Sequence, residues 1–354
     1  MIFSSMKVKS TISMNTSTCI LLLAFSITLI RCNGGSETEK YHTGRNNVIQ
    51  VQDQIKEIEF EDAYLSNFAR IYTMEDYLIV SDYHSFDKLI YIFDRNDFSF
   101  IANIAPKGQG PGEISNMGHI GIDEKNHIFY VSDHGKQKIF SYHLDSVLAN
   151  PSYKAVEKLN LNELQFPNKY ILLNDSLCIG QIIEPTGNYG FNQSLAKWNI
   201  STGEITPMKY THPKIERKRV CFAVSEENGI YVECYQHHDL VTICDLNGNL
   251  KQNIYGRKWD NKTSNRQQYF DDVIIYNKRI LASYSDGKER GPTTADRPTQ
   301  ILVFDLTGNY IKTLDIGYRI MGICYDDQNN RLLMHLDDMI QFGYLTLNDQ
   351  LLNK

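Results

Sequence analysis

The fold is decided between residues 78 and 94, where the chain reads Leu78-Ile79-Val80-Ser81-Asp82 and then Leu89-Ile90-Tyr91-Ile92-Phe93-Asp94. Fifty-one residues later the pattern returns, as Phe129-Tyr130-Val131-Ser132-Asp133 followed by Lys138-Ile139-Phe140-Ser141-Tyr142-His143-Leu144-Asp145. Short aliphatic and aromatic runs that end in turn residues are typical of β-strands. The chain therefore contains two copies of one β-rich unit.

The second half of this unit recurs four more times. The six runs end at residues 94, 145, 199, 245, 305 and 346, at intervals of 41 to 60 residues. Each unit is predicted to hold four strands of roughly 5 to 7 residues, with no amphipathic helix longer than a turn or two. Such units arranged radially predict an all-β fold, a six-bladed β-propeller with four-stranded antiparallel blades, over residues 48–354.

The last unit, residues 319–352, is the shortest of the six and is expected to lack one strand. A closed ring leaves only short sheet edges, whereas an open stack of sheets would need capping ends. Residues 51–60 are therefore expected to supply the missing strand and to fasten the ring.

Composition limits the classes of function. The 354 residues are 42% hydrophobic and 22% charged, which is enough apolar material for a large core. Beyond residue 31 the chain carries 33 basic and 42 acidic groups, so its formal charge is 33 − 42 = −9. A body of this average charge should repel nucleic acid phosphates, and no nucleic acid partner is expected.

The amino terminus has the features of an export signal. Lys7 and Lys9 precede an apolar run over residues 19–30, which is too short for a comfortable bilayer span. Leu29-Ile30-Arg31-Cys32 is similar to a bacterial lipobox, so residues 1–31 are predicted to be a signal peptide and Cys32 to be lipidated. An ordinary cleaved signal or an uncleaved anchor is the alternative. Residues 32–47 are expected to form a flexible tether.

Five cysteines follow Cys32, at residues 178, 221, 234, 244 and 324. An odd number at irregular spacing is no disulfide framework and no zinc motif, so these residues are expected to be buried thiols. Cys221 and Cys234 flank a predicted turn. If Glu227-Asn228 is the tip of this turn, the two cysteines lie directly opposite each other. If Asn228-Gly229 is the tip, they are only diagonal neighbours. Two thiols are favoured over a disulfide.

The stretch Gly108-Gln109-Gly110-Pro111-Gly112-Glu113-Ile114, followed by the strands over 120–123 and 128–133, resembles an NHL-type blade. It is more closely similar to the six-bladed, TolB-like propeller lipoproteins of Bacteroidetes, in which a G-x-G-P-G-E loop opens a blade. The resemblance implies a six-bladed propeller, export and a lipid anchor in the outer membrane or periplasm. It implies no particular chemistry.

Catalytic motifs are scarce. The chain has no G-x-S-x-G elbow, Walker loop or H-E-x-x-H, and no cofactor is expected. His237-His238-Asp239 is the best local metal candidate, but neighbouring residues on a strand point to opposite faces, and a solvated cluster is favoured. Asp82 and Asp133 end strands before turns, where they are expected to accept backbone N–H bonds.

Loop length predicts the functional surface. The connections over 184–190 and 286–300 are long and are expected on the same face as loop 108–117. Candidate partner-binding residues are Gln109, Glu113, Tyr189, Phe191, Arg290 and Arg297.

The leading hypothesis is a monomeric binding or scaffolding module that engages a protein, peptide or glycan at the envelope. The alternatives are a lactonase- or lyase-type enzyme with a metal in the central tunnel, and a structural envelope protein without a ligand site.

Overall fold

A computed structural model describes residues 37–150, 152–160, 166–187, 190–262, 266–289, 291 and 296–353. Within them the chain forms six antiparallel sheets of at least four strands each, in the order expected of propeller blades. The predicted signal peptide, residues 1–31, and the predicted lipidation site Cys32 lie outside the described residues.

The strands before the first blade are β1 (Glu39–His42), β2 (Val48–Gln50) and β3 (Lys56–Glu57). Blade 1 comprises β4 (Arg70–Met74), β5 (Tyr77–Ser81), β6 (Lys88–Asp94) and β7 (Phe100–Pro106). Blade 2 comprises β8 (Met117–Asp123), β9 (Ile128–Asp133), β10 (Lys138–His143) and β11 (Val156–Asn160). Blade 3 comprises β12 (Phe166–Leu172), β13 (Leu177–Gly187), β14 (Gly190–Asn199) and β15 (Ile205–Pro207).

Blade 4 comprises β16 (Val220–Ser225), β17 (Ile230–Tyr235), β18 (Leu240–Asp245) and β19 (Leu250–Gly256). Blade 5 comprises β20 (Gln267–Tyr276), β21 (Arg279–Glu289), β22 (Gln300–Asp305) and β23 (Tyr310–Asp315). Blade 6 comprises β24 (Ile320–Asp326), β25 (Arg331–Leu336) and β26 (Phe342–Thr346). Two short α-helices of the described residues are α1 (Leu144–Ala149) and α2 (Asp349–Leu352). Neither is long and apolar enough to cross a membrane.

The repeated apolar runs are the middle strands of the blades. In β5 every residue after Tyr77 is buried, and all six residues of β17 and of β25 are buried. Such strands are covered on both faces by neighbouring blades, which is why their sequences are mostly apolar and do not alternate with exposed polar residues. The third strands end at 94, 143, 199, 245, 305 and 346. Five of these six ends are where the sequence predicted them, and blade 2 ends two residues early because α1 begins at Leu144.

The ring is closed by the amino-terminal segment. Strand β3 pairs antiparallel with β26 and supplies the outer strand of blade 6, which confirms the strand expected within residues 51–60. The same segment also adds β1 parallel to β19 of blade 4 and β2 parallel to β23 of blade 5. Residues 39–42 are thus a strand of the propeller, although the sequence had placed them in a tether.

Two predicted long loops are extended strands. Strands β13 and β21 are each 11 residues long, so the expectation of strands no longer than about 7 residues is wrong here. Pairing in β13–β14 continues through Glu184↔Asn192 to Gly187↔Gly190, and β20–β21 pairs out to Gln267↔Glu289. The physical reason is that each hairpin keeps its ladder hydrogen bonds beyond the blade.

The cysteine pair of blade 4 is placed by register. Cys221 lies directly opposite Cys234, because Glu227-Asn228 and not Asn228-Gly229 forms the tip of the β16–β17 turn. Both are buried free thiols, as are Cys178 and Cys244. Burial raises the pKa of the Cys178 and Cys244 thiols to about 12, which makes them unreactive core residues.

Candidate functional site

The antiparallel blades sort their connections onto two faces. The second-to-third strand connections and the blade-to-blade connections emerge together, on what we call the loop face. The opposite side, with the first-to-second strand turns, is the turn face. On the loop face, three segments of blades 6 and 1 meet: residues 64–69, 82–87 and 337–341.

These three segments carry a group of exposed apolar side chains, which we call the aromatic patch. Tyr64 and Phe86 are 99% exposed, Met339 is 95% exposed, Phe68 is 45% exposed and Tyr83 is 38% exposed. Phe68 stacks on His84 with ring centroids 4.2 Å apart and lies 5.5 Å from the Tyr83 ring. Exposed apolar side chains gathered on adjoining segments mark interaction surfaces on folded proteins.

Buried polar contacts fix the three segments to one another. The Asp82 carboxylate accepts hydrogen bonds from Ser66 N and Ser66 Oγ, both at 2.7 Å, and from His84 N at 3.0 Å. Gln341 Nε2 donates to the carbonyl oxygens of Leu65 and Ser66, each at 3.0 Å. The aromatic patch is therefore held on a rigid base, although its own side chains are exposed.

Charges at the rim of the aromatic patch have partners. Arg297 Nε lies 3.1 Å from Asp337 Oδ2, and Arg319 Nη1 lies 3.3 Å from Asp338 Oδ2. Lys107 Nζ donates to the carbonyls of Tyr83 and Ser85 at 3.3 and 3.1 Å. The patch consequently offers a ligand mainly apolar surface, with the exposed Asp87 at its edge.

A buried histidine supports the patch from below. The His335 ring stacks on Phe342 with centroids 4.9 Å apart, and it is hydrogen-bonded to the Ala69 backbone. Burial lowers the pKa of His335 to about 4, so the ring is neutral at physiological pH.

The glycine-rich loop predicted from the sequence is built around its own glutamate. Glu113 Oε2 accepts a hydrogen bond from Gly110 N at 2.7 Å, and a Cβ at Gly108 would collide with this carboxylate. Only Gly112 of the three glycines has a positive φ, +77°, so Gly108 and Gly110 are required for close approach rather than for left-handed backbone. Glu113 thus has an internal partner, while Gln109 is exposed.

The other predicted partner-binding residues are separated on the structure. Phe191 lies under the Arg219 guanidinium, 3.7 Å from it, on the extended hairpin of blade 3. Arg297 belongs to the rim of the aromatic patch through Asp337. Tyr189 and Arg290 lie outside the described residues. Among the predicted residues that the structure describes, Arg297 is the one linked to the patch by a side-chain contact.

Asp82 and Asp133 bind loop backbone as the sequence predicted. Asp133 Oδ1 accepts from the N–H groups of Gly135 and Lys136 at 3.0 and 3.1 Å. It also accepts from Ser115 Oγ at 2.7 Å, which matches the Asp82–Ser66 contact of blade 1. This second partner, from the preceding blade connection, was not foreseen.

The His237-His238-Asp239 cluster has separate partners. His237 Nδ1 is 2.9 Å from the Gln267 carbonyl, and His238 Nδ1 is 3.3 Å from the Asp260 carbonyl. Asp239 Oδ1 forms a 2.7 Å ion pair with Arg45 of the amino-terminal segment. Over the described part of the chain, no group of three or more His, Cys, Asp and Glu side chains is placed to hold a metal ion.

The central tunnel holds an ion pair between blades. Lys169 Nζ on β12 lies 3.4 Å from Asp272 Oδ1 on β20, and Ile323 N on β24 donates to Asp272 Oδ2 at 3.1 Å. Burial opposes the charged form of Lys169, but the contributions of Asp272, Cys221 and Tyr72 together raise the lysine pKa. The Lys169 side chain thus already neutralises the Asp272 carboxylate, which gives the metal-enzyme alternative no support.

Toward the turn face lies a polar cavity of about 540 Å³. It is lined by acidic and basic side chains, among them Glu124, Glu227 and Lys278.

The aromatic patch itself was missed by sequence reasoning. Tyr83 and Phe86 lie in a predicted loop, where the matching loop of blade 2 carries Gly135, Lys136 and Gln137 instead. Tyr83 and Phe86, compared with a blade 2 loop that has no Tyr, Phe or Trp, were the available signal.

The fold defines a class, the six-bladed β-propeller, and the loop face of this propeller carries an exposed apolar surface. In keeping with this class, residues 57–171 match the model of a family described as a 6-bladed beta-propeller. No curated protein matches the sequence.

Three solved structures show the same fold at low sequence identity. A protein of Bacteroides fragilis described as exported has 11% identity and a TM-score of 0.52, over 85% of this chain and 88% of that chain. A member of the duf4221 family from Bacteroides vulgatus has 10% identity and a TM-score of 0.55, over 84% and 99%. The beta-propeller domain of Cps50 (Swd1) from Myceliophteria thermophila has 10% identity and a TM-score of 0.51, over 83% and 100%.

Proposed function

We propose that this chain is an exported, lipid-anchored propeller that binds a protein partner through the aromatic patch. The observation that carries the proposal is the nearly complete exposure of Tyr64, Phe86 and Met339 on segments that buried hydrogen bonds hold rigid. Aromatic residues and methionine are enriched in the buried core of protein–protein interfaces. A rigid base reduces the conformational entropy that is lost on binding.

A protein is favoured over a glycan because of the polar groups around the patch. A sugar presents many hydroxyl groups, and each needs a hydrogen-bond partner when it leaves water. Here several polar side chains of the three segments are engaged internally, as Asp82 is by Ser66 and Gln341 is by two carbonyls, whereas Asn67 and Asp87 are exposed. An apolar protein surface fits this arrangement better.

Export and anchoring are proposed from the amino terminus. The apolar run over residues 19–30 and the cysteine that follows it support a lipidated Cys32. The structural relative from Bacteroides fragilis is described as exported, which agrees with this proposal. Cys32→Ser should release the protein from the membrane fraction or block its processing, and unchanged fractionation would contradict the anchor.

The partner is tested by site-specific photo-crosslinking at Phe86 in intact cells. We expect an adduct with one defined envelope protein, identified by mass spectrometry, and its loss when Tyr64→Ser and Met339→Ser are combined. A matched control replaces Ile101 and Val156, which are exposed at outer strands away from the patch, with serine.

The control variant should keep the adduct at its full yield. An adduct of twice the chain mass would identify a second copy as the occupant and contradict a distinct partner. Binding of envelope polysaccharide that depends on the patch, without any protein adduct, would replace the protein by a glycan.

A further inference from the structure

Two connections on the loop face of blades 4 and 5 carry positive charge in a chain of negative charge. Residues 214–219 and 257–262, which we call the basic loops, hold seven basic side chains and two acidic ones. They are Lys214, Arg217, Lys218, Arg219, Arg257, Lys258 and Lys262 against Glu216 and Asp260. Crowding of like charge is evident at Arg219, whose pKa is lowered by burial and by the neighbouring Arg217.

Part of this charge is used inside the protein, and part faces outward. Lys218 forms a buried pair with Glu233 at 2.6 Å, and Arg257 and Lys258 share Asp286 at 3.2 and 3.1 Å. Lys214, Arg217 and Lys262 are exposed. The basic loops therefore present an electropositive surface to solvent.

Aromatic side chains stand beside these cations. Trp259 lies within the second basic loop, and its ring centroid is 4.8 Å from that of Tyr255. Tyr41 stacks on Tyr255, with ring centroids 4.7 Å apart. Tyr41 is 64% exposed. Tyrosine and tryptophan next to lysine and arginine are the residues that favour the headgroup region of a bilayer, because they combine an apolar ring with a polar group.

The basic loops belong to the part of the ring where the amino-terminal segment arrives. Strand β1 is the outer strand of blade 4, and β2 is the outer strand of blade 5. A chain spans at most about 3.5 Å per residue, so a lipid on Cys32 would hold Thr38 within roughly 25 Å of the bilayer. Thr38 lies beside Asn253 of β19, so blade 4 is the part of the propeller that this anchor would hold nearest the bilayer.

From these observations we propose that the basic loops bind anionic phospholipid headgroups and seat blade 4 on the membrane. The inference rests on the lipid anchor of the proposed function. A single acyl chain binds a bilayer reversibly, and a basic surface supplies the second attraction that stable anchoring requires.

Tryptophan fluorescence of the full, lipidated chain tests this proposal. The chain has two tryptophans, and Trp198 is buried in blade 3, so quenching by brominated lipids reports on Trp259. Vesicles of brominated phosphatidylcholine tether the protein through its lipid alone, and added phosphatidylglycerol supplies negative charge. We expect quenching only in the anionic vesicles, and its loss when salt is raised.

Charge reversal separates the basic loops from charge in general. Lys214→Glu with Arg217→Glu and Lys262→Glu should lower the docked fraction by on the order of tenfold or more. The matched control reverses Lys125, Lys154 and Lys278, which are exposed on turn-face connections, and should keep the quenching. Trp259→Phe should abolish the signal.

Equal quenching in neutral and anionic vesicles, or equal loss in both triple variants, would overturn the proposal. Failure of the protein to join neutral vesicles would show that the anchor is absent and would overturn it together with that part of the proposed function. Crosslinking at Phe86 would still judge the aromatic patch separately.

Discussion

The aromatic patch and the basic loops lie on the same face of the ring, but they expose opposite kinds of side chain. At the patch, the polar groups are bound internally, as Asp82 is by Ser66, and exposed rings remain. At the basic loops, the rings of Trp259 and Tyr255 pack together and exposed cations remain. A closed ring of blades can carry both because its strands bury each other and leave the loops free to differ.

Both regions also rest on neutral, buried histidines. His335 supports the aromatic patch, and His212 and His238 contact the Trp259 ring under the basic loops. Burial lowers the pKa of all three rings. Each region therefore contains buried histidine that is uncharged in the folded protein. Mutations can test the two regions independently.

The largest effect is expected from Asp239→Ala beneath the basic loops. Asp239 is fully buried and accepts from Arg45, from Lys258 N and from Tyr284 OH. Its removal would leave the Arg45 guanidinium buried without its carboxylate, which costs about 3–5 kcal/mol of unfolding free energy. Urea unfolding measures this loss. Asp286→Ala removes a partly exposed carboxylate and should cost less than about 1 kcal/mol. Equal losses in the two variants would contradict a buried Arg45–Asp239 ion pair.

A second effect should appear under the aromatic patch as the pH falls. Above about pH 6.5 His335 is neutral in both states and contributes nothing to pH dependence. Between pH 6.5 and its folded pKa of about 4 the unfolded state binds the extra proton, so stability is lost as pH falls. His335→Phe should lose about 2 kcal/mol less than the wild type between pH 7 and pH 5.

The measurement is urea unfolding at both pH values. Between pH 7.5 and 8.5 the two proteins should show parallel behaviour, because the ring is neutral in both states there. Parallel curves also at pH 5 would mean that His335 is not held neutral by burial.

These two regions also show which features of the fold could be predicted from the sequence. Blade number followed from local repeats, since each third strand ends at a turn residue such as Asp94 or Asp245. Strand β1 could not be found, because Glu39–His42 has no apolar alternation and pairs with a strand more than 200 residues away. The aromatic patch likewise joins Tyr64 to Met339 from the two ends of the chain. Closure of the ring creates that proximity, and no local pattern encodes it.

A smaller effect should come from Asp82→Ala, which removes no aromatic side chain. It leaves the hydrogen-bond donors of Ser66 and His84 without their acceptor and should cost about 1–2 kcal/mol. The repeat supplies the control, because Asp133→Ala breaks the same kind of contact with Ser115 in blade 2. Asp133→Ala should cost at least as much stability, because Asp133 accepts five hydrogen bonds against three at Asp82. Only Asp82→Ala should lower the crosslinking yield at Phe86. Equal yields would show that the patch does not depend on its rigid base.

The smallest effect is expected from shortening the connection between β21 and β22. Replacing residues 290–296 with Asn-Gly keeps the β20–β21 pairing to Glu289 and keeps the Arg297–Asp337 contact. Closure entropy changes slowly with loop length, so the unfolding free energy should change by less than about 1 kcal/mol. Crosslinking at Phe86 should persist, whereas Arg297→Ala should reduce it by leaving Asp337 without its partner beside the patch. Complete loss of the adduct in the shortened, folded protein would move the binding surface from blades 6 and 1 to blade 5.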